Sequence, residues 1–133
     1  MRILTYAILI NILNFSCMNN NLLVYEYADG NGNTYKLQPT SLEYIPVKKE
    51  ESSSGMYSGG EAKTVTITPE QYKNISALLE SALANTAIHI KDRVMMTGVV
   101  KVVSTEHKRS CIIKPGSDDL LRIEQTLKEI ITR

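Results

Sequence analysis

The sequence predicts an α+β domain, a two-layer sandwich in which a mostly antiparallel sheet of six or seven strands carries two helices on one face. Three observations predict it. Residues 63–85 change from a period of two to a helical period, 22–38 and 97–114 each resemble two strands joined by a turn, and 117–131 form a second amphipathic helix. The predicted order is therefore ββββ–α–βββ–α. Each helix has one apolar face, and both faces are buried if the helices share the sheet.

The stretch 63–85 has the most specific local signals. Val65 and Ile67 alternate with threonines, which is the pattern of a half-buried strand. Thr68 and Gln71 have the spacing of a capping box, and Asn85 is a suitable stop. The helical face that follows comprises Tyr72, Ile75, Leu79, Ala82 and Leu83. No glycine stands at the junction of strand and helix, so the sequence argues against a phosphate-binding loop there.

Residues 22–38 predict a β-hairpin whose turn is Asp29-Gly30-Asn31-Gly32-Asn33. Alternating oxygen-bearing side chains in this turn also suggest a calcium loop. An EF-hand needs glycine at the sixth position and glutamate at the twelfth, and here those positions are Thr34 and Thr40. The plain turn is therefore the preferred interpretation.

A third strand is predicted over 41–47. Pro39 and Pro46 flank its centre, and proline cannot donate a ladder hydrogen bond, so this strand is expected at an edge of the sheet. Seven Tyr, one Phe and no Trp, together with many Thr and Val, favour strands with one solvent-exposed face.

The second half of the sheet is predicted from strands at 87–91, 94–97 leading through Gly98 into 99–103, and 108–114. His89 alternates with two isoleucines and is expected to point away from the buried side. The context of Cys111 is that of a buried structural thiol. Ser117 is expected to cap the last helix, whose apolar face comprises Leu120, Ile123, Leu127, Ile130 and Ile131.

The first seventeen residues read as an export signal. Arg2 precedes an apolar run from Ile3 to Phe15, and a helix of that length rises about 20 Å, short of the roughly 30 Å of a hydrocarbon core. The end of the run, Asn14-Phe15-Ser16-Cys17, resembles a degenerate lipobox of bacterial lipoproteins. The resemblance implies a signal peptide at 1–16, a lipid on Cys17 and a short tether at 17–21, followed by one domain at 22–133.

Two other interpretations of this segment are an ordinary cleaved signal, giving a soluble secreted protein, and a buried N-terminal helix of a cytosolic protein. If Cys17 is lipidated, Cys111 is the only remaining thiol and needs no disulfide. If it is not, a bridge between Cys17 and Cys111 becomes feasible in an oxidising compartment.

The charge balance argues against nucleic acid as a principal partner. The chain has 15 Lys+Arg and 14 Asp+Glu, and Arg2 is the only charged residue of the signal, so its removal leaves 14 of each. Binding to phosphates needs a surplus of cations.

Residues 48–62 form the least patterned stretch and are predicted to be a flexible loop. Charged residues are followed by Ser and Gly, yet Met56 and Tyr57 stand at its centre. These two residues are either a partner-binding tip or fold back onto the sheet.

The sequence offers no catalytic constellation, and we expect no catalytic, cofactor-binding or metal-binding residues. His89 and His107 have no second ligand at metal spacing. The acidic pairs at 50–51 and 118–119 are more simply solvated charges.

The predicted function is that of a small lipoprotein of the bacterial cell envelope, lipid-anchored to a membrane, periplasmic or surface-facing. It is predicted to act as a non-catalytic binding module for a protein partner. The first alternative is an inhibitor or immunity protein that presents the 48–62 loop. The second is a small envelope enzyme that acts on wall or glycan substrates through a carboxylate or His89 on the open sheet face.

Overall fold

The computed structural model describes residues 23–103 and 108–133. The strands are β1 (Val24–Ala28), β2 (Thr34–Leu37), β3 (Ser41–Ile45), β4 (Lys63–Thr66), β5 (His89–Ile90), β6 (Gly98–Val103) and β7 (Arg109–Ile113). The helices are α1 (Pro69–Ala84) and α2 (Asp118–Thr132), with short 3-10 helices at Lys49–Glu51 and Thr86–Ile88. The predicted signal peptide, Cys17, the predicted tether and His107 lie outside the described residues.

The seven strands form one sheet in the order β4-β3-β2-β1-β6-β7-β5, and every pairing is antiparallel. The predicted α+β class, the element order ββββ–α–βββ–α and the placement of both helices on one face are confirmed. The two chain segments either side of α1 pair through β1 and β6, so the centre of the sheet is formed by residues far apart in sequence.

The core lies between the sheet and the helices. Its side chains come from alternate positions of the strands and from the predicted helix faces, with Leu42, Val100, Ala82 and Ile113 fully buried. Burial of these faces supplies the main driving force for folding. Each predicted apolar face is confirmed except that Leu83 is only partly buried.

The tyrosines do not follow the sequence expectation of an exposed strand face. Tyr25, Tyr27 and Tyr35 lie on the helix-covered side and are buried, and Tyr44 packs against the same core. A tyrosine can occupy a core position if its hydroxyl has a partner, and the hydroxyls of Tyr25, Tyr27 and Tyr44 find partners on the helices and loops.

Both helix starts were predicted correctly. Thr68 accepts a hydrogen bond from the Gln71 amide, and the Gln71 side chain accepts one from the Thr68 amide. Ser117 accepts a bond from the Leu120 amide, and Asn85 caps the end of α1. These caps satisfy backbone groups that a helix leaves unpaired at its ends.

The edge position predicted for β3 is wrong, because β3 lies between β2 and β4. The strand begins at Ser41 and ends at Ile45, so Pro39 and Pro46 fall outside the ladder and cost it no hydrogen bond. The strand expected at 94–97 is also absent, since β6 begins at Gly98 and the preceding residues form a loop.

Gly98 begins β6 and pairs regularly with Ile113. A Cβ atom at this position would lie 2.4 Å from Leu120 Cδ1 and 2.7 Å from Tyr27 Oη. The absence of a side chain therefore lets α2 approach the sheet. Within the described residues, no helix is both long and apolar enough to cross a membrane.

Candidate partner-binding surface

The turn after β1 is held by the side chain of its first residue. The Asp29 carboxylate accepts hydrogen bonds from the amides of Asn31 and Asn33, both at 2.9 Å, and from the Asn33 side chain at 2.8 Å. Gly32 takes a φ of +93°, which favours glycine. The oxygens that suggested a calcium loop thus bind the turn itself, and the preferred interpretation as a plain turn fits this geometry.

Asn33 joins the turn to the loop that follows β3. Its side-chain amide donates to Tyr57 Oη at 3.0 Å, and its carbonyl oxygen accepts the Val47 amide at 3.0 Å. Asn33 is 3% exposed, so these bonds are protected from water. Tyr44 Oη also donates to the Gly59 carbonyl at 2.8 Å. The two ends of the loop are therefore fixed, while the mobility predicted for 48–62 stays a prediction.

The loop 91–97 meets the other side of the same turn. Arg93 donates to the Asp29 carbonyl at 2.8 Å, and a Cβ at Gly30 would lie 2.7 Å from Met96 Cα. Met96 itself has a φ of 63°, an uncommon conformation for a residue other than glycine. Close contact between the two backbones thus fixes this loop against the turn.

These three segments bring exposed apolar side chains to one end of the sheet. Met56 is 78% exposed, Met95 87% and Met96 72%, with Val94 and Tyr57 beside them in the same loops. We call these five residues the turn-end surface. A cavity of about 280 Å³ between Gly30, Met96 and Leu121 adjoins it.

Met56 and Tyr57 differ in their contacts and exposure, and the partner-binding role predicted for them stays a prediction. Tyr57 turns its hydroxyl back to Asn33 and is 37% exposed, whereas Met56 extends into solvent. Sequence reasoning missed Val94, Met95 and Met96 because it assigned them to a strand. The signal that could have identified this exposed segment is that three consecutive residues are apolar, without the polar alternation of a half-buried strand.

Cys111 lies on β7, opposite Val100, and is buried among core residues. Burial raises the pKa of its thiol, which disfavours the nucleophilic thiolate. Its position agrees with the structural role expected from the sequence.

His89 was expected on the open face, and that expectation is wrong. It pairs with Ile113 on the helix-covered side, and its Nε2 lies 2.7 Å from the Ala82 carbonyl at the end of α1. The preceding 3-10 helix changes the register that simple alternation assumed. His89 thus lies within hydrogen-bonding distance of a backbone carbonyl in the last turn of α1.

The structure also joins Glu80, Arg109 and Tyr25, which sequence reasoning did not connect. Arg109 makes two hydrogen bonds to the Glu80 carboxylate, at 2.7 and 2.8 Å, and Tyr25 donates a third at 2.7 Å. The bonds from Arg109 lower the pKa of Glu80, while burial and Glu80 raise the pKa of Tyr25. This cluster ties α1 to the sheet.

The remaining candidates lie apart from one another. Glu50 and Glu51 are exposed in a 3-10 helix, and Asp118 and Asp119 occupy the first turn of α2 beside a cavity of about 480 Å³. In 23–103 and 108–133, no group of three or more His, Cys, Asp or Glu residues is arranged to hold a metal ion.

Replacement of Asn33 by alanine should loosen the loop after β3. The variant loses the bond to Tyr57 and leaves the Val47 amide unpaired, which should cost about 1–3 kcal/mol of unfolding free energy. Amide hydrogen exchange should accelerate at Val47 and Gly59. Asn31→Ala is the matched control, because this exposed residue of the same turn uses only its backbone amide. Unchanged exchange in Asn33→Ala would contradict the anchoring role.

Glu80→Gln should reduce stability in a pH-dependent way. Folding lowers the pKa of Glu80, so its charged form stabilises the fold at pH values above the pKa of this carboxyl in the unfolded chain. The contribution is lost as the pH falls through the pKa of Glu80 in the folded protein. The side chains of Glu80 and Arg109 are 36% and 46% exposed, so we expect the substitution to lower the unfolding free energy by less than about 1 kcal/mol near pH 7.

Urea unfolding of Glu80→Gln and the parent chain should converge between about pH 7 and pH 3. Glu61→Gln, at an exposed position, serves as the control and should track the parent throughout. A constant difference across this pH range would show that the charge of Glu80 is not what matters.

Compared with protein families, with characterised proteins and with solved structures, the chain matches none. The functional argument therefore depends on the geometry described above, in which the turn-end surface is the most prominent exposed feature.

Proposed function

We propose that this protein is a lipid-anchored binding module of the bacterial cell envelope, periplasmic or surface-facing. Cys17 holds it to the membrane, and the turn-end surface binds a protein partner. The observation that supports this most is the concentration of exposed apolar side chains in two loops that flank one turn. Exposed apolar groups gathered in this way are typical of interaction sites.

The chemistry of the turn-end surface suits a protein partner. Methionine side chains are flexible and polarizable, so they adapt to an apolar surface, and Tyr57 adds a rigid ring. The backbone beneath them is held by Asn33, Arg93 and Tyr44. A preorganised backbone lowers the entropy that binding must overcome.

The direction of β1 supports the link between anchor and surface. Val24 begins the strand and the turn follows Ala28, so the chain enters at the end of the sheet opposite the turn. Five strand residues separate the two ends by about 16 Å. A lipid on Cys17 would thus leave the turn-end surface facing away from the membrane.

An inhibitor or immunity protein is a specific form of the same proposal. Its supporting observation is that hydrogen bonds fix the loop presenting Met56 at both ends: Asn33 accepts from the Val47 amide and donates to Tyr57, and Tyr44 donates to the Gly59 carbonyl. Inhibitory loops bind tightly when their bound conformation already exists in the free protein. No observation favours the envelope enzyme, since His89 faces the helices rather than the open sheet face.

Cys17→Ala should abolish lipidation. In a bacterial host, the parent chain should be processed in a globomycin-sensitive step and yield a mature N-terminus at Cys17 with the mass of an acylated cysteine. The variant should lose that mass and leave the membrane fraction. An unmodified N-terminus at Met1 in the parent chain would refute the anchor.

The turn-end surface is tested by site-specific photo-crosslinking in the envelope of the native host. A photoreactive amino acid at Met56 or Met95 should give the same discrete adduct with a second protein. The variants Met56→Asp and Met95→Asp should each bind the partner about tenfold more weakly or worse, because a charge replaces an apolar contact.

Val103 provides the matched control, because it is exposed on β6 at the opposite end of the sheet. Crosslinks to the same second protein from Val103 alone, or equal sensitivity of that protein's binding to Val103→Asp, would exclude the turn-end surface as the binding site. The thermal midpoint of each aspartate variant should remain near that of the parent.

A further inference from the structure

The sheet face opposite the helices carries a row of alternating charges. Across four adjacent strands, Glu43 pairs with Lys36, Lys36 with Glu26, and Glu26 with Lys101. The row is flanked by Thr64 on β4 and Ser110 on β7. From one edge to the other it reads Thr, Glu, Lys, Glu, Lys, Ser.

This face is uncovered by the rest of the described chain. Beside the charged row runs a second, mostly apolar row, and all of its members retain solvent exposure: Ile45, Thr34, Ala28, Val99, Ile112 and Ile90. Val24 and Val103 lie on the other side of the charges. The face thus carries a charged stripe with a mostly apolar row on one side, and with Val24 and Val103 beside the polar Ser41 and Thr66 on the other.

The charged side chains of the stripe do not form ion pairs with one another. Neighbours on adjacent strands lie directly opposite, yet among residues 23–103 and 108–133 the only ion pair within 4.0 Å joins Arg109 to Glu80. The four charged side chains therefore have capacity for a partner outside the chain.

We propose that the open face binds a second copy of this chain through a two-fold axis parallel to the strands, passing between β1 and β2. That rotation reverses the row, so Glu43 faces Lys101 of the second copy and Lys36 faces its Glu26. Thr64 then faces Ser110. All four charges meet opposite charges, and in the mostly apolar row Ile45 lies against Val99 of the second copy and Thr34 against its Ala28.

The other two-fold axis in the plane of the interface runs perpendicular to the strands and is disfavoured. It would place Glu43 against Glu43 and each lysine against itself, and like charges in contact cost affinity. The favoured axis keeps both chain entries at the same end. Two anchored copies could therefore pair on one membrane and present two turn-end surfaces, although the pairing itself does not rest on the anchor.

The size of the face suits a reversible dimer. Six strands about 4.8 Å apart and three side-chain rows about 7 Å apart define roughly 600 Å² per copy. The total of about 1,200 Å² is at the lower end of specific interfaces. Charge complementarity then chiefly sets the orientation of the two copies.

The test is a charge-swap experiment on the full chain in a density-matched detergent, with mass measured by sedimentation equilibrium. The parent chain should dimerise reversibly. Glu26→Lys places two lysines against each other at each of two symmetric contacts, and Lys36→Glu does the same with glutamates. Each variant alone should dimerise at least about a hundredfold more weakly than the parent chain.

An equimolar mixture of Glu26→Lys and Lys36→Glu should restore the dimer, because every facing pair is then opposite in charge. A mixture of Glu26→Lys and Lys101→Glu is the matched control. It also combines one added lysine with one added glutamate, but it sets Glu43 of one copy against the glutamate at position 101 of the other. This mixture should therefore remain monomeric. Lys73→Glu, on the exposed side of α1, should dimerise like the parent.

A monomeric parent chain would overturn the proposal, as would a dimer insensitive to Glu26→Lys. Failure of the first mixture to restore the dimer would also overturn it, and so would restoration by both mixtures. Thermal unfolding of each single variant checks that it is folded. Because restoration requires folded partners, the mixing result separates lost pairing from lost structure.

Discussion

The two tyrosines of β1 connect the layers of this protein. Tyr25 donates its hydroxyl to Glu80 on α1, and Tyr27 donates to Glu124 on α2, at 2.7 and 2.9 Å. Each ring fills core volume while each hydroxyl finds a carboxylate at the rim. Burial, with the neighbouring carboxylate adding to it, raises the pKa of both phenols, so they remain neutral donors. One central strand thus positions both helices.

The polar groups of the core are satisfied throughout the described residues, where no buried side-chain nitrogen or oxygen lacks a partner. Unpaired polar groups would be costly at this depth. The helix-covered side of the sheet therefore has little left to offer a ligand. What remains for interaction is the turn end, with its methionines, and the open face, with its charged row.

These two surfaces have different physical character. The turn-end surface is apolar and built from loops, so its affinity for a protein partner would come from desolvation of methionine and tyrosine. The open face is built on strands and has a fixed spacing of charges, so its contribution would be orientation. A chain that pairs through the second surface would present the first one twice, and two weak contacts bind more tightly than one when both can engage.

The features that sequence predicted well are local. The capping box of Thr68 and Gln71, the cap by Ser117 and the Asp29 turn each depend on residues within four positions of one another. The apolar faces of both helices follow from the helical period. The α+β class and the two-layer arrangement follow because those faces need a shared sheet.

The errors concern contacts between distant segments. The edge position of β3, the direction of His89 and the location of the tyrosines all depend on which strands become neighbours and which side the helices cover. Periodicity gives two faces for a strand but does not identify the neighbour of either face.

The helices, their caps and the order of the elements could be predicted from the sequence, because they depend on short-range backbone hydrogen bonding and the periodicity of apolar residues. The fold was needed to show that two loops separated by about forty residues flank one turn, and that charges from four strands align in one row. Strand register and loop contacts are fixed by packing across the whole domain, which no local pattern specifies.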